Sequence, residues 1–127
     1  MANSRDFIAH VLELMQPAGR ATARAMFGGH GVYLDGMIVA IAIDDIVYFK
    51  TDAETRGAFV AQGQEPFRYT SRKGDVQGTG YYRLPDEALE SPDAMREWLR
   101  LALAASLRAA SRKPAKAAKP PGRKRRA

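Results

Sequence analysis

Between residues 4 and 16, Phe7, Ile8, Val11, Leu12, Leu14 and Met15 recur at mostly three- and four-residue spacings, with Ser4 ahead of them and Pro17 behind. That period predicts an amphipathic α-helix capped by Ser4 and stopped by the proline. Past Gly19 the pattern turns to β. Residues 23–34 hold Phe27, Val32 and Tyr33 around Gly28, Gly29 and Gly31, which predicts one strand, bent or bulged where glycine permits positive φ or close backbone approach. Asp35-Gly36 lies between two apolar runs, as a two-residue hairpin turn of the primed type prefers. The next run, 37–43, is apolar on both sides, with Met37, Val39, Ile41 and Ile43 on one and Ile38, Ala40 and Ala42 on the other. Such a strand is expected to be covered on both faces. Asp44-Asp45 makes the following turn, and residues 46–50 return as a third strand.

Asp52 is placed to cap a short helix through Glu54, Phe59 and Val60 that ends at Gly63. Residues 66–69 and 80–84 read as two further strands, and the polar, glycine-rich stretch 71–79 between them as a mobile hairpin loop. Ser91-Pro92-Asp93 supplies a capping hydroxyl, a proline at the first helical position and an acid in the first turn. The helix it starts carries Met95, Trp98, Leu99, Ala102, Leu103 and Leu107 as one apolar stripe and fades near residue 110. Trp98 is expected to be largely buried, so that its truncation to alanine costs about 3 to 5 kcal/mol. The order α-β-β-β-α-β-β-α gives an α+β fold: two layers, an antiparallel five-stranded sheet, and helices mainly on one face. A sheet covered on one side leaves a face for a second copy, which makes a homodimer an expectation.

Most chemistry is excluded by what the chain lacks. Without cysteine there is no disulfide, thiolate zinc site or cysteine nucleophile. His10 and His30 are too few for a metal centre, and the adjacent Asp44 and Asp45 suit a turn better than an acid/base pair. The glycines lead into a strand with no Lys and Ser/Thr pair behind them, so they do not make a phosphate loop. No catalytic residue, metal or cofactor is therefore expected. One small-molecule or enzymatic alternative stays open, at the Gly28 to Gly31 bend with Arg24, His30 and Tyr33 around it. The aromatics Tyr33, Tyr48, Phe49, Phe67, Tyr69, Tyr81 and Tyr82 leave two readings, cross-strand and core packing or a stacking platform for single-stranded nucleic acid. Lys50, Arg68 and Arg83 are the only cations alternating with them, and packing is the preferred reading.

Charge changes the picture at one end. The net charge of +6 divides into +8 for residues 112–127 and −2 for residues 1–111. The positive end is Arg112, Lys113, Lys116, Lys119, Arg123, Lys124, Arg125 and Arg126, spaced by Ala, Pro and Gly. Such a composition buries too little apolar surface to offset its ordering entropy. The reading is a folded domain over 1–111 and a disordered basic tail over 112–127 that binds nucleic acid through phosphates without base readout, or merely solubilises. A tail without an apolar anchor does not suit a membrane, and residues 1–15 lack the apolar centre of a signal peptide, so a cytoplasmic protein is expected.

Four separated motifs also carry a resemblance. They are Arg24-Ala25-Met26-Phe27-Gly28-Gly29-His30-Gly31-Val32-Tyr33-Leu34-Asp35-Gly36; Asp45-Ile46-Val47-Tyr48-Phe49-Lys50-Thr51-Asp52; Glu65-Pro66-Phe67-Arg68-Tyr69; and Tyr81-Tyr82-Arg83-Leu84-Pro85. In this order, over roughly residues 5 to 105, the chain resembles the N-terminal domain of the TfoX/Sxy family of bacterial competence regulators. The resemblance implies the same α+β order and a structural part for Met26, Phe27, Gly28, Gly29, Gly31, Tyr33, Asp35, Gly36, Tyr48, Lys50, Pro66, Phe67, Tyr69, Tyr81, Tyr82, Leu84 and Pro85. It implies a non-enzymatic regulator that activates transcription of competence genes with a transcription-factor partner, the cyclic AMP receptor protein. Longer family members carry a second, helical domain where this chain has its basic tail. A nonspecific nucleoid-type protein driven by the tail is the rival reading.

Overall fold

Ser4 starts the fold as expected. The Phe7 N–H donates to its Oγ at 3.1 Å, and helix α1 runs over Arg5–Met15, turning its buried Val11, Leu14 and Met15 inward. Pro17 lies in a 3-10 turn over Gln16–Ala18. In the computed structural model, which describes residues 3–26, 28–70 and 76–112, the strands are β1 Ala21–Met26, β2 Gly29–Leu34, β3 Met37–Ile43, β4 Ile46–Lys50, β5 Pro66–Thr70 and β6 Val76–Arg83. Helix α2 spans Arg56–Ala61 and α3 spans Pro92–Arg112.

The sheet has six strands, not five, in the order β1-β2-β3-β4-β6-β5, with antiparallel neighbours throughout. The difference comes from the glycine run. Gly28 adopts φ 77°, a left-handed conformation that suits a chain reversal between Met26 and Gly29. Met26 then pairs with Gly29, and Ala21 with Leu34. What reads as one bent strand is a hairpin. The second hairpin turn follows expectation, with Asp35 at φ 50° and Gly36 at φ 85°, both positive as a primed turn requires. At Asp44-Asp45 both residues also have positive φ, 55° and 59°. There the N-terminal segment supports the turn: the Asp45 N–H donates to Asn3 Oδ1 at 2.7 Å and the Ser4 N–H to Asp45 Oδ1 at 2.8 Å. The last hairpin has longer strands than expected, β5 reaching Thr70 and β6 starting at Val76, while the loop's residues 71–75 lie outside the described residues.

All three helices supply the core on one face of the sheet. Val11, Leu14 and Met15 from α1, Phe59 from α2, and Met95, Leu99 and Ala102 from α3 form one cluster with Val32, Leu34, Ala40, Ala42, Val47 and Phe49. Ala40 and Ala42 have no exposed surface, and the Ser106 hydroxyl of α3 donates to the Ile38 carbonyl at 2.6 Å. Strand β3 is thus covered by helices on one face, where its apolar pattern suggests cover on both. Trp98 is half-buried, its ring tilted 58° against Phe59 with centroids 4.9 Å apart, and Leu107 lies 51% exposed, so the buried stripe of α3 is narrower than the periodicity implies.

Two ends are pinned by polar contacts. Ser91 Oγ accepts the Ala94 N–H at 3.1 Å as the cap of α3. At the other end, Arg108 makes a two-point contact with Asp52, Nε to Oδ2 at 2.6 Å and Nη2 to Oδ1 at 3.0 Å. Asp52 Oδ1 also accepts the Glu54 and Thr55 N–H groups, both at 3.1 Å, so it organises the turn before α2, which starts later than a direct Asp52 cap would place it.

Two outcomes are expected. Phe59 has no exposed surface, so Phe59→Ala should cost about 3 to 5 kcal/mol in urea denaturation, whereas Trp98→Ala should cost less because part of its side chain stays exposed. The Arg108 guanidinium, helped by the Thr55 and Glu54 N–H groups and opposed by desolvation, holds the Asp52 carboxyl well below its ordinary value of 3.8. A lowered folded-state pKa adds stability that is fully present above the unfolded value and is lost as pH falls toward the folded one. Asp52→Ala should therefore cost at least about 1 kcal/mol at neutral pH through the lost Glu54 and Thr55 N–H contacts alone, and its deficit relative to the parent chain should shrink below pH about 4.

Candidate functional site

Strand alternation decides which face each family-motif residue occupies. Through the register Arg24↔Gly31, Gly31↔Ile41, Ile41↔Tyr48 and Tyr48↔Arg83, these residues share the face without helices, as do Met26, Tyr33, Lys50 and Tyr81. Phe67 of β5 joins them, its ring 4.9 Å from that of Tyr48. The opposite, helix-covered face takes Phe49 and its partner Tyr82, whose ring stands 6.2 Å from Phe59. Leu84 and Pro85 are buried just beyond β6. Pro66 pairs with Tyr82 and Tyr69 with Gln77. The seven aromatics considered together in the sequence are thus not one set. Tyr33, Tyr48, Phe67 and Tyr81 lie on the open face, all half-buried.

The open face is apolar at its centre. Ile41 is only 6% exposed yet stands apart from the main core cluster. The Arg24 guanidinium lies over the Tyr33 ring, 5.6 Å from its centroid, within cation–π range. Burial pushes the Tyr81 phenol above its ordinary value, and the charge of the nearby Tyr33 phenol pushes the same way. The Tyr81 phenol therefore stays neutral at physiological pH and keeps a proton to donate.

The glycines fit this surface to the sheet. A Cβ on Gly29 would sit 2.4 Å from the Ala42 carbonyl oxygen, and one on Gly31 would meet Met26 Cε at 2.6 Å and Tyr33 Cε1 at 3.2 Å. Gly28 thus serves the turn, and the other two serve close approach. The run does not gather a reacting constellation. Arg24 and Tyr33 point to the open face, while His30, paired with Ala42, points to the other, where Asn3 Nδ2 donates to His30 Nδ1 at 3.0 Å and to the Ala42 carbonyl at 2.7 Å. His10 is exposed, with Nε2 2.9 Å from the Leu89 carbonyl.

Of the tail cations, Arg112 is the last residue of α3; Lys113, Lys116, Lys119, Arg123, Lys124, Arg125 and Arg126 lie outside the described residues, as does Phe27. Arg83 shows what the sequence reading underrates. It faces the open side opposite Tyr48 and reaches Asp86 at 3.7 Å. Its position depends on the β4–β6 register, which strand-by-strand reading does not supply.

The close approaches predict unequal costs. Gly29→Ala presses on backbone that cannot yield and should destabilise by about 1 to 3 kcal/mol. Gly31→Ala presses on the end of a flexible methionine and should cost less, in the same urea titration.

Among the described residues no helix is long and apolar enough to cross a membrane. No curated protein matches the chain closely enough to serve as a relative. The family model of the TfoX N-terminal domain matches residues 13–106, taking in all three helices and all six strands in whole or in part. With that match over most of its length, and with the α+β order its motifs imply, the chain belongs to the TfoX N-terminal domain family, whose members are competence-regulator-like.

Proposed function

We propose that this chain is a non-enzymatic regulatory module that works in the bacterial cytoplasm by contact with a DNA-bound transcription regulator, while its basic C-terminal segment tethers the complex to DNA. The observation that carries the reading is the fate of the glycine run. The glycine-rich backbone at 28–31 is used to close a hairpin and to let strands approach, and Arg24 and His30 beside it diverge to opposite faces. That supports a scaffold in place of a reacting centre. Family membership supports a regulatory role, and competence-type transcriptional regulation is the form of it proposed here.

The tether rests on charge. Residues 112–127 carry +8 against −2 for the preceding 111, and eight cations in a segment rich in Ala, Pro and Gly attract phosphates without reading bases.

Anisotropy of a labelled duplex, measured for the parent chain and for a full-length variant with the eight tail cations replaced by glutamine, tests this. The parent should bind two unrelated duplexes equally, with log K falling against log salt at a slope of roughly −4 to −7, and the variant should lose duplex binding. Duplex affinity that survives neutralisation would remove the tether. Tail-dependent binding with no gain in affinity for a regulator–promoter complex would favour the nucleoid-type alternative.

A further inference from the structure

We propose that the open face of the sheet is a second, tail-independent nucleic-acid site, which takes single-stranded DNA or RNA by stacking bases on Tyr33, Tyr48, Phe67 and Tyr81 and holding the backbone with Arg24, Lys50 and Arg83.

The case begins with a segregation that the domain's net charge conceals. None of the six strands contains an aspartate or glutamate, while Arg24, Lys50, Arg68 and Arg83 all lie in strands. Among the described residues the acids lie outside the strands, in helices, turns and the segments that connect them. Several at the rim of the sheet already hold protein groups: Asp35 accepts the Arg20 N–H, Asp45 the Ser4 N–H, and Asp52 the Arg108 guanidinium. Three of the four strand cations alternate onto the open face, Arg83 with Asp86 beside it at 3.7 Å, so a domain that is mildly acidic as a whole has only cations among the charged strand positions of that face. An anionic occupant matches that surface. A second copy of the chain does not, because it would bring two cationic faces together.

The aromatics narrow the anion further. A purely phosphate-binding surface needs no rings. Here four rings run from β2 across β4 and β6 to β5 with cations beside them: Arg24 over Tyr33, Arg83 opposite Tyr48 and Lys50 opposite Tyr81. Alternating π-faces and cations on an antiparallel sheet suit unstacked bases and their phosphates, with room for about two or three stacked bases on a sheet of this kind. A duplex hides its base faces and gains little from the rings. The half-burial of all four rings means that each is held by its neighbours and loses little freedom on binding. This site goes beyond the tether, and it survives whether or not the tail binds duplex DNA.

The test uses the tail-neutralised full-length chain, so that the tail contributes nothing, with fluorescein-labelled oligo(dT) of fifteen nucleotides and a fifteen-base-pair duplex as probes. The single strand should bind at least about tenfold tighter than the duplex, with a salt slope near −2, as about three cations at 0.7 each imply. Tyr48→Ala and Phe67→Ala should each weaken it by about 5- to 150-fold, the range of one lost base stack. Should those variants unfold by circular dichroism, Arg24→Gln decides the matter, since its side chain is exposed; it should lower the salt slope by about 0.7. The proposal is overturned if the neutralised chain fails to bind oligo(dT), binds duplex equally well, or binds polyglutamate as tightly and without dependence on the rings. Sedimentation showing a dimer that Arg24→Glu dissociates would also overturn it, by assigning the face to a second copy.

Discussion

Six strands and one layer of helices set the terms for the rest of this molecule. A sheet this wide has two faces to protect, and α1, α2 and α3 all pack on the same one. The covered face meets that layer with small residues. Ala40 and Ala42 have no exposed surface and leave room for α3 to approach, which brings Ala102 and Ala105 into the interior and the Ser106 hydroxyl within 2.6 Å of a strand carbonyl. Larger side chains at 40 and 42 would lift the helix and open the gap that Phe49, Phe59 and Leu99 fill. The uncovered face has no helix to exclude water. It carries instead side chains that are apolar in body and polar at the tip, the three tyrosines and the stems of its basic residues, around a buried Ile41.

That asymmetry has an electrostatic counterpart. Acids cluster where helices and turns can use them, at Asp93 in the first turn of α3 beside Arg96, at Asp52 under Arg108 and at Asp35 and Asp45 in the hairpin turns. Strand positions admit only cations, whose long stems lie along a pleated surface while the charged ends reach solvent. The net charge of the folded part therefore describes neither face, and an argument from that average alone weighs against any polyanion at the sheet.

Much of the architecture was legible because its signals are local. Ser4 and Ser91 cap the helices their spacing announces, and Asp35-Gly36 closes a hairpin with both residues at positive φ. The glycine run misled for a local reason as well: a glycine that bends a strand and a glycine that ends one look alike until the pairing partner is known. Here Met26 pairs with Gly29, so Gly28 is a turn. The Asp52–Arg108 contact, which fixes the end of α3, joins residues 56 positions apart and has no sequence pattern of its own. The candidate site lies between these cases. Alternation alone separates Tyr48 from Phe49 and Tyr81 from Tyr82, but which of each pair shares a face with Tyr33 depends on the registers of β2 with β3, β3 with β4 and β4 with β6. A shift of one residue in any of them would have turned the open-face rings toward the helices.

The same geometry bears on how a basic tail and a basic face would act together. Arg108 is held by Asp52, two residues after Lys50, and Arg112 follows Arg108 by about one helical turn, a rise of about 6 Å. Lys50 in turn stands opposite Tyr81 at the β4–β6 edge of the open face. Helix α3 therefore reaches the segment that follows β4, two residues beyond Lys50. If both proposed sites bind, a nucleic acid held by one would be presented to the other at a raised effective concentration. Under that coupling two weak sites suffice, one that reads only charge and one that distinguishes exposed bases from paired ones. Duplex with a locally opened stretch would engage both at once, whereas closed duplex would engage the tail alone, so a module without base-specific contacts would still discriminate between states of DNA.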